Sequence, residues 1–375
     1  MNLQDIRKKI DNIDKELLIL IESRMKLSEE VAEYKKKTDK PIYDKAREDE
    51  KIEALKSFTK NEFIKDVIGD IFIQIMSASR RLQYIKLYKN YDLGFVKKSY
   101  SKPKVVFYGE KGSYTEQAMI EYFGDEIETS RCNTFEDVML LVKNKDVDFG
   151  VLPIENSFTG TLSDIYDLLA DYNNYIIGEH VLKIEHNLLG LENADLDDIN
   201  LVYSHKQGIL QCSKFLNENN ILAIESGSTS ASAKRVLEEN DISKAAIASE
   251  RAATHFGLKI IKRYINNEMS NSTRFIIITS EKTYFEEANK ISLCFALPHE
   301  SGSLYNILSH FIYNGINMTR IESRPFVGKP FEYRFFVDIE GKLDDPKIKN
   351  ALFCIQQEAL EIKILGAFKS INKVK

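Results

Sequence analysis

Apolar residues fall at Ile6, Ile10, Ile13, Leu17 and Leu20, then at Leu27, Val31 and Tyr34, in steps of four and three. That spacing is a heptad seam on one face of a single long helix. Run from Leu3 to Lys37, such a helix would measure about 50 Å at ~1.5 Å per residue. Lys40-Pro41 ends it, because proline removes a helical donor and clashes with the preceding turn. A second helix is predicted over Asp44–Phe58. A third runs from about Asn61 to Tyr88, with Phe63, Val67, Ile71, Ile75 and Leu82 on one face. Three helices of unequal length cover the long one only partly, so the pattern predicts an intertwined dimer that brings Arg7 of one chain to its partner's seam. Arg24 stands at a seam position where an apolar residue belongs. A buried guanidinium needs an anion, either a protein carboxylate or a ligand.

The period changes beyond Tyr88–Lys104, an aperiodic stretch that reads as a linker. Lys104–Tyr108 is a short apolar strand. Further strands are predicted near 127–131, 148–152, 175–189, 200–203, 221–225, 245–248, 259–262 and 274–279. Helices are predicted near 135–143, 162–171, 207–217, 230–239 and 249–256. This alternation implies parallel sheets covered by helices, and a length of about 180 residues favours two lobes around a cleft. Phe149-Gly150-Val151-Leu152 reads as a buried strand that Pro153 stops, with Gly160 and Thr161 opening the next helix. Polar turns follow the strands: Gly112-Ser113-Tyr114-Thr115, Glu155-Asn156-Ser157, Ser204-His205-Lys206-Gln207 with Gln211, Ser228-Thr229-Ser230-Ala231 and Asn271-Ser272-Thr273-Arg274-Phe275. Ligands of open α/β sheets bind at such strand ends. Helix capping alone accounts for Ser113, Ser204 and Ser230; a carboxylate site at the helix starts is the other reading. From Lys290 the order is strand (Ile291–Leu297), helix (Ser303–Asn314), strand (Asn317–Ser323), strand (Phe331–Ile339), helix (Pro346–Ala359) and strand (Ile362–Phe368), the ferredoxin-like plan.

Composition narrows the class. The 375 residues suffice for two or three domains, with 43% apolar and 29% charged residues, as in ordinary globular proteins. A net charge of -5 gives no reason to expect nucleic-acid binding. Cys132, Cys212, Cys294 and Cys354 lie far apart, which argues against a zinc site or a disulfide framework and fits a reducing cytosol. The chain is charged from Asp5 onward, unlike a signal peptide. Its longest uncharged apolar run, Ile71–Ser79, is too short to span a bilayer. No metal-ligand cluster and no dinucleotide fingerprint is present.

In the helical third, Arg7, Arg24, Lys35, Asp44, Arg47, Glu48, Ser79 and Gln83 resemble the active-site pattern of the all-helical chorismate mutases, over residues 3 to about 85. The resemblance implies a pericyclic rearrangement of chorismate to prephenate, which needs a held conformer and charge stabilisation rather than a nucleophile. It implies that the partner's Arg7 and this chain's Arg24 grip carboxylates with Arg47 in support. Lys35 and Gln83 would donate to the ether oxygen, Glu48 would hold the ring hydroxyl, and Ser79 would meet a carboxylate or its neighbour. In the centre, Gly-x-x-Gly-Ser-Tyr, Pro-Ile-Glu-Asn-Ser, Ser-His-x-Gln, Ser-Thr-x-Ala and Asn-x-Thr-Arg-Phe resemble, in order, the prephenate dehydratases, with Thr115 and Lys206 as departures. This implies that Thr273 donates to the leaving hydroxyl, directly or through a relay with Glu155 or water. Asn156, Ser204, Gln207, Gln211 and Arg274 would position the substrate. At the C-terminus, Gly302-Ser303-Leu304 and Glu322-Ser323-Arg324-Pro325 resemble the ACT regulatory module, which implies a phenylalanine site; a purely dimerising module is the alternative.

The whole chain thus resembles the bifunctional chorismate mutase–prephenate dehydratases of phenylalanine biosynthesis. The resemblance implies a multidomain fold: an all-α chorismate mutase domain (1–92), a linker (93–103), an α/β two-lobed periplasmic-binding-protein-like dehydratase domain (104–282) and an α+β ferredoxin-like ACT domain (288–370). It implies chorismate and prephenate as substrates, no cofactor or metal, and phenylalanine as inhibitor. Expected too are a homodimer or homotetramer, no nucleic-acid or membrane partner, and a cytoplasmic location. The alternatives are a single-activity enzyme, or a cleft that only binds ligand, with the other domain kept for assembly.

Overall fold

The structure, a computed structural model, describes residues 2–87, 92–268, 270–326 and 332–371. Tyr88, where the sequence places the end of the third helix and the start of the linker, lies outside the described residues, as does Phe331, the predicted start of a strand. The chain divides into two compact units: Met1–Leu93 with Phe295–Phe335 and Ile339–Ile362, and Gly94–Cys294 with Phe336–Asp338 and Lys363–Lys375.

The first unit contains three helices, α1 (Leu3–Thr38), α2 (Lys45–Lys56) and α3 (Glu62–Leu87). An Asn2–Asp5 capping box starts α1, and Asp39 in the left-handed conformation ends it. Only Ser28 and Ala32 of α1 are buried, while its eight seam residues remain 42–65% exposed. A core of Ile42, Tyr84 and Cys354, with Phe353, joins α3 to helix Pro346–Glu358. The C-terminal elements follow the predicted order: strand Lys290–Ala296, helix Ser303–Tyr313, strands Met318–Pro325 and Tyr333–Glu340, helix Pro346–Glu358 and strand Glu361–Phe368. Those four strands lie in the spatial order second, third, first, fourth. The strand predicted to end at Ser323 runs on through Arg324 and Pro325.

The second unit has two lobes. One is built on strands in the order Glu361–Phe368, Tyr175–Lys183, Ser272–Thr279, Phe149–Asn156, Lys104–Tyr108, Glu128–Cys132. The other orders Lys259–Lys262, Asn187–Gly190, Lys244–Ala248, Leu201–Ser204 and Leu222–Glu225. The single strand expected over 175–189 is therefore two, and the residues between them carry the chain from one lobe to the other. The return crossing pairs with it: Ile184 N donates to Asn271 O at 2.8 Å, and Ile265 N to His186 O at 2.9 Å. The predicted helix over 207–217 is likewise broken at Cys212 into Lys206–Gln211 and Ser213–Glu218. Inside the expected linker, Val96–Lys97 pairs with Thr283–Tyr284.

Pro153 does not stop its strand, which continues to Asn156. The register with Ser272–Thr279 jumps there, Arg274 facing Glu155 and Phe275 facing Pro153. Ile154 is the extra residue of a bulge, where a missing donor is tolerated. Gly160 and Thr161 do not open a helix; they fold back on Glu155 and Asn156 as a short strand, and the helix begins at Ser163. Gly112, at φ +80°, lets the first lobe touch the second: a Cβ there would lie 2.8 Å from Ala252 Cα. Among the described residues no helix is long and apolar enough to cross a membrane.

Candidate active sites

Two groups of predicted residues assemble, one in each unit. In the helical group, Arg24 Nη1 donates to Ile75 O at 3.4 Å and to Ser79 Oγ. Its neighbours are a carbonyl and a hydroxyl, so the carboxylate allowed for in the sequence is not in direct contact. Burial lowers the Arg24 pKa, with Glu48 opposing. Lys35 Nζ donates to Ile42 O at 2.7 Å; burial lowers its pKa too, against Asp44 and Glu48. Gln83 is buried and its Oε1 has no protein partner. Asp44 serves as the N-cap of α2, accepting from Arg47 N. Arg7 is exposed, and Arg47 is exposed and paired with Glu50 at 3.1 Å, so one chain does not bring these two into the group.

Arg80 was not anticipated from the sequence. It is 4% exposed and paired with Glu48, with Nε donating to Glu358 Oε1 at 2.9 Å. Glu358 Oε2 in turn meets His310 Nε2 at 3.0 Å. Burial alone would lower the Arg80 pKa, but Glu358 and Glu48 more than reverse this and hold it raised. Glu48 is thereby fixed by a buried ion network that reaches helix Pro346–Glu358. Arg80 lies on the side of α3 away from Phe63, Val67, Ile71, Ile75 and Leu82, so the apolar pattern of the helix gave no signal of its burial.

The second group lines a cavity of about 340 Å³ between the lobes, bordered by Tyr108, Tyr114, Asn156, His186, Gln207, Gln211 and Thr273 among others. Asn156 Nδ2 donates to Thr273 Oγ1 at 2.9 Å and to Asn271 Oδ1 at 2.8 Å. Asn156 Oδ1 accepts from Phe158 N and Thr159 N, so the amide is locked with its donors on Thr273. Asn271 Nδ2 donates to Gln211 Oε1 at 3.0 Å, and His186 Nε2 lies 2.9 Å from the same oxygen. An acceptor there requires the proton on Nε2, which leaves Nδ1 to face Tyr114 Oη at 2.8 Å. Burial pulls the His186 pKa down to about 4, only partly offset by Gln211, so the ring is neutral.

The consequence is directional. Thr273 Oγ1 accepts from Asn156, so its own proton is available to a ligand. Gln211 Oε1 is taken by two donors, so its Nε2 group is what it can offer. The cleft therefore presents hydrogen-bond donors, as an anionic substrate with a leaving hydroxyl requires. His186 and Asn271 lie in the two lobe crossings; Asn271 opens the Asn-x-Thr-Arg-Phe motif, whereas His186 was missed because it reads as an ordinary loop residue.

Three expected ligands lie elsewhere. Arg274 alternates with Thr273 along one strand, and side chains alternate across a sheet. Arg274 and its neighbour Glu155 therefore turn to the opposite face, 3.0 Å apart, where Arg274 also meets Glu179, Asp338 and Tyr166. Burial would lower the Arg274 pKa, but Tyr166, Asp338, Glu179 and Glu155 raise it overall. Neither residue lines the cavity. Ser204 is fully buried and donates to Ile247 O at 2.9 Å; the cap of the next helix is His205. Ser230 is not a cap either: Ser228 caps, and Ser230 donates to Lys111 O. Ser113 does cap its helix.

Comparison with known proteins matches the stretches of chain that carry the two groups. Residues 6–84 match the family described as chorismate mutase type II, and residues 105–283 match prephenate dehydratase. The bifunctional chorismate mutase/prephenate dehydratase of Aquifex aeolicus is 33% identical over 372 residues, covering 98% of this chain and 97% of its own. Among solved structures, a quorum quenching acylase, GqqA, superposes with a TM-score of 0.67 at 27% identity over 72% of this chain and all of its own. The prephenate dehydratase of Arthrobacter aurescens in complex with L-Phe does so with 0.66 at 28% identity, over 71% and 90%. The Aquifex aeolicus relative spans the helices, the cleft and the C-terminal elements together. On that near-complete coverage the chain belongs to the bifunctional chorismate mutase/prephenate dehydratase family.

Proposed function

We propose that this protein rearranges chorismate to prephenate on its helices and converts prephenate to phenylpyruvate in the cleft, under inhibition by phenylalanine. We assign residues 1–92 to the mutase, 93–103 to the linker, 104–282 to the dehydratase and 288–370 to an ACT regulatory domain. The first step needs cations for two carboxylates and donors for the ether oxygen. Arg24, Lys35 and Gln83 supply them, with Ser79 beside Arg24 and Glu48 fixed by Arg80. Asp44 and Arg47 shape the start of α2. Arg7 comes from a second copy, which the exposed row on α1 favours.

The dehydration is carried by one observation, the Asn156–Thr273 hydrogen bond that leaves the threonine proton directed to ligand. The ring C–O bond breaks as the ring carboxylate leaves as carbon dioxide. Its electron pair enters the ring, which becomes aromatic, and the departing oxygen leaves as water after taking a proton. Thr273 donates a hydrogen bond to that oxygen, and solvent replaces the proton. Gln207 and Gln211 hold the side-chain carboxylate. Glu155 and Arg274 support the strands from behind, and Ser204 braces the second lobe. A hydrolytic reading, suggested by the acylase neighbour, needs an activated nucleophile. Burial pushes the Cys212 thiol up to about 12, and Thr273 accepts from Asn156 instead of donating to a base.

The regulatory reading rests on a cavity of about 350 Å³ lined by Leu297, Ser303, Leu304, Tyr333 and Phe335, beside the helix start that Gly302 caps at φ +83°. That helix start favours a carboxylate. The Glu322–Pro325 strand end would be contributed by a second copy. Feeding chorismate to the protein and following prephenate and phenylpyruvate separately tests both steps. Thr273→Ala should stop phenylpyruvate formation by ~10²–10³-fold, the effect of one lost transition-state donor, while chorismate is still consumed. Near-normal dehydratase turnover would remove Thr273 from the mechanism.

A further inference from the structure

Five ionisable groups gather behind the strand that carries Thr273. Arg274 Nη2 lies 3.0 Å from Glu155, and Nη1 lies 3.2 Å from Glu179 and 3.4 Å from Asp338. Lys290 Nζ reaches the same Glu179 oxygen at 3.1 Å and Asp338 at 3.5 Å. Glu179 also accepts from Ile371 N at 3.0 Å. Apart from Glu155, all are buried or nearly so. Three carboxylates thus face two cations on the reverse of the strand pair whose other face holds Asn156 against Thr273.

Lys290 opens the strand Lys290–Ala296 and Asp338 lies within Tyr333–Glu340, so two C-terminal strands supply side chains to the cluster. A packed ion cluster adopts discrete arrangements rather than deforming gradually, so the loss of one member displaces the strands it holds.

We propose that Arg274, Lys290 and Asp338 are positioning residues of the dehydratase: the cluster sets Thr273 against Asn156. This rests on reading the cleft as the dehydratase site. It gives Arg274 a role that does not require contact with substrate, and it makes the C-terminal domain a working part of catalysis as well as of control.

The test uses the full-length protein carrying Asp338→Asn. That change leaves two carboxylates facing two cations, so the cluster stays balanced and the fold is expected to hold. Misplacing reacting groups by about 1 Å costs up to ~100-fold, so dehydratase kcat should fall about ten- to hundredfold, with KM changed far less and mutase turnover unaltered. Arg274→Lys keeps the charge but not the fork that spans three carboxylates, and should lower kcat in the same way. If Asp338→Asn also loses mutase turnover, Arg274→Lys decides. Wild-type kcat in both variants overturns the proposal. A wild-type protein that makes no phenylpyruvate would overturn the dehydratase reading, and this inference with it; an active wild type with an indifferent variant overturns this inference alone.

Discussion

Acidification should weaken the two-lobed unit through His186. Its pKa is about 4 in the fold against 6.5 in a model side chain. In the interval between, the unfolded chain binds a proton that the folded one refuses. The stabilisation is therefore complete above the unfolded pKa and is lost as pH falls toward the folded one, at up to about 1.4 kcal/mol per pH unit. Across the interval this amounts to about 3 kcal/mol at 1.36 kcal/mol per unit. Carboxylates titrate in the same range, so the comparison is between wild type and His186→Gln, whose amide can donate to Gln211 and accept from Tyr114 without titrating. At pH 7 the variant should melt at or below the wild type. By pH 4.5 the difference should move in the variant's favour by about 2.5 kcal/mol, or roughly 5–10 °C for a unit of this size. Parallel loss of stability in the two proteins would show that His186 does not carry the effect. Protonation also puts a charge on a buried ring that contacts Gln211, so dehydratase turnover should fall over the same range more steeply in wild type than in the variant.

Arg80→Met should destabilise the first unit by about 3–5 kcal/mol, because it removes the cation shared by partly buried Glu48 and buried Glu358 and leaves Glu358 only His310; a loss below about 1 kcal/mol in denaturant melts would refute the buried-network account. Adding Glu358→Gln to it should recover part of the stability but not mutase turnover, since Glu48 stays unanchored. Mixing Arg7→Ala with Arg24→Ala subunits should restore some mutase sites; mixed dimers without activity would exclude Arg7 acting across the interface. Gly302→Val should abolish phenylalanine binding measured by calorimetry, since a β-branched residue is strained at positive φ, whereas Ser303→Ala should retain it.

The helices, the βα alternation and the ferredoxin-like order were legible because each rests on a long repeat of apolar positions. What failed was local. Pro153 was read as a stop because a proline in a strand usually is one; the bulge at Ile154 depends on the partner strand's register, which the sequence of one strand does not carry. Thr273, Asn156 and Gln211 were found as motif members and meet in the cleft. Arg274 and Glu155 were assigned to the same site, although the period of a strand already forbids Thr273 and Arg274 from facing one way. Ser204 looked like a ligand because hydroxyls at strand ends often are, but its partner Ile247 lies 43 positions away. Arg80 and His186 act through contacts with distant segments, and no motif marks them.

The row of exposed apolar side chains on α1 has a bearing on how this enzyme behaves in a cuvette. If α1 completes its site with a second copy, as proposed above, mass action applies, and the mutase should lose specific activity when diluted below the dissociation constant of that pairing. The cleft is built from one chain and carries no such requirement of its own. The ratio of the two turnover rates is then a function of enzyme concentration, and rates measured at nanomolar enzyme would understate the first step relative to the second.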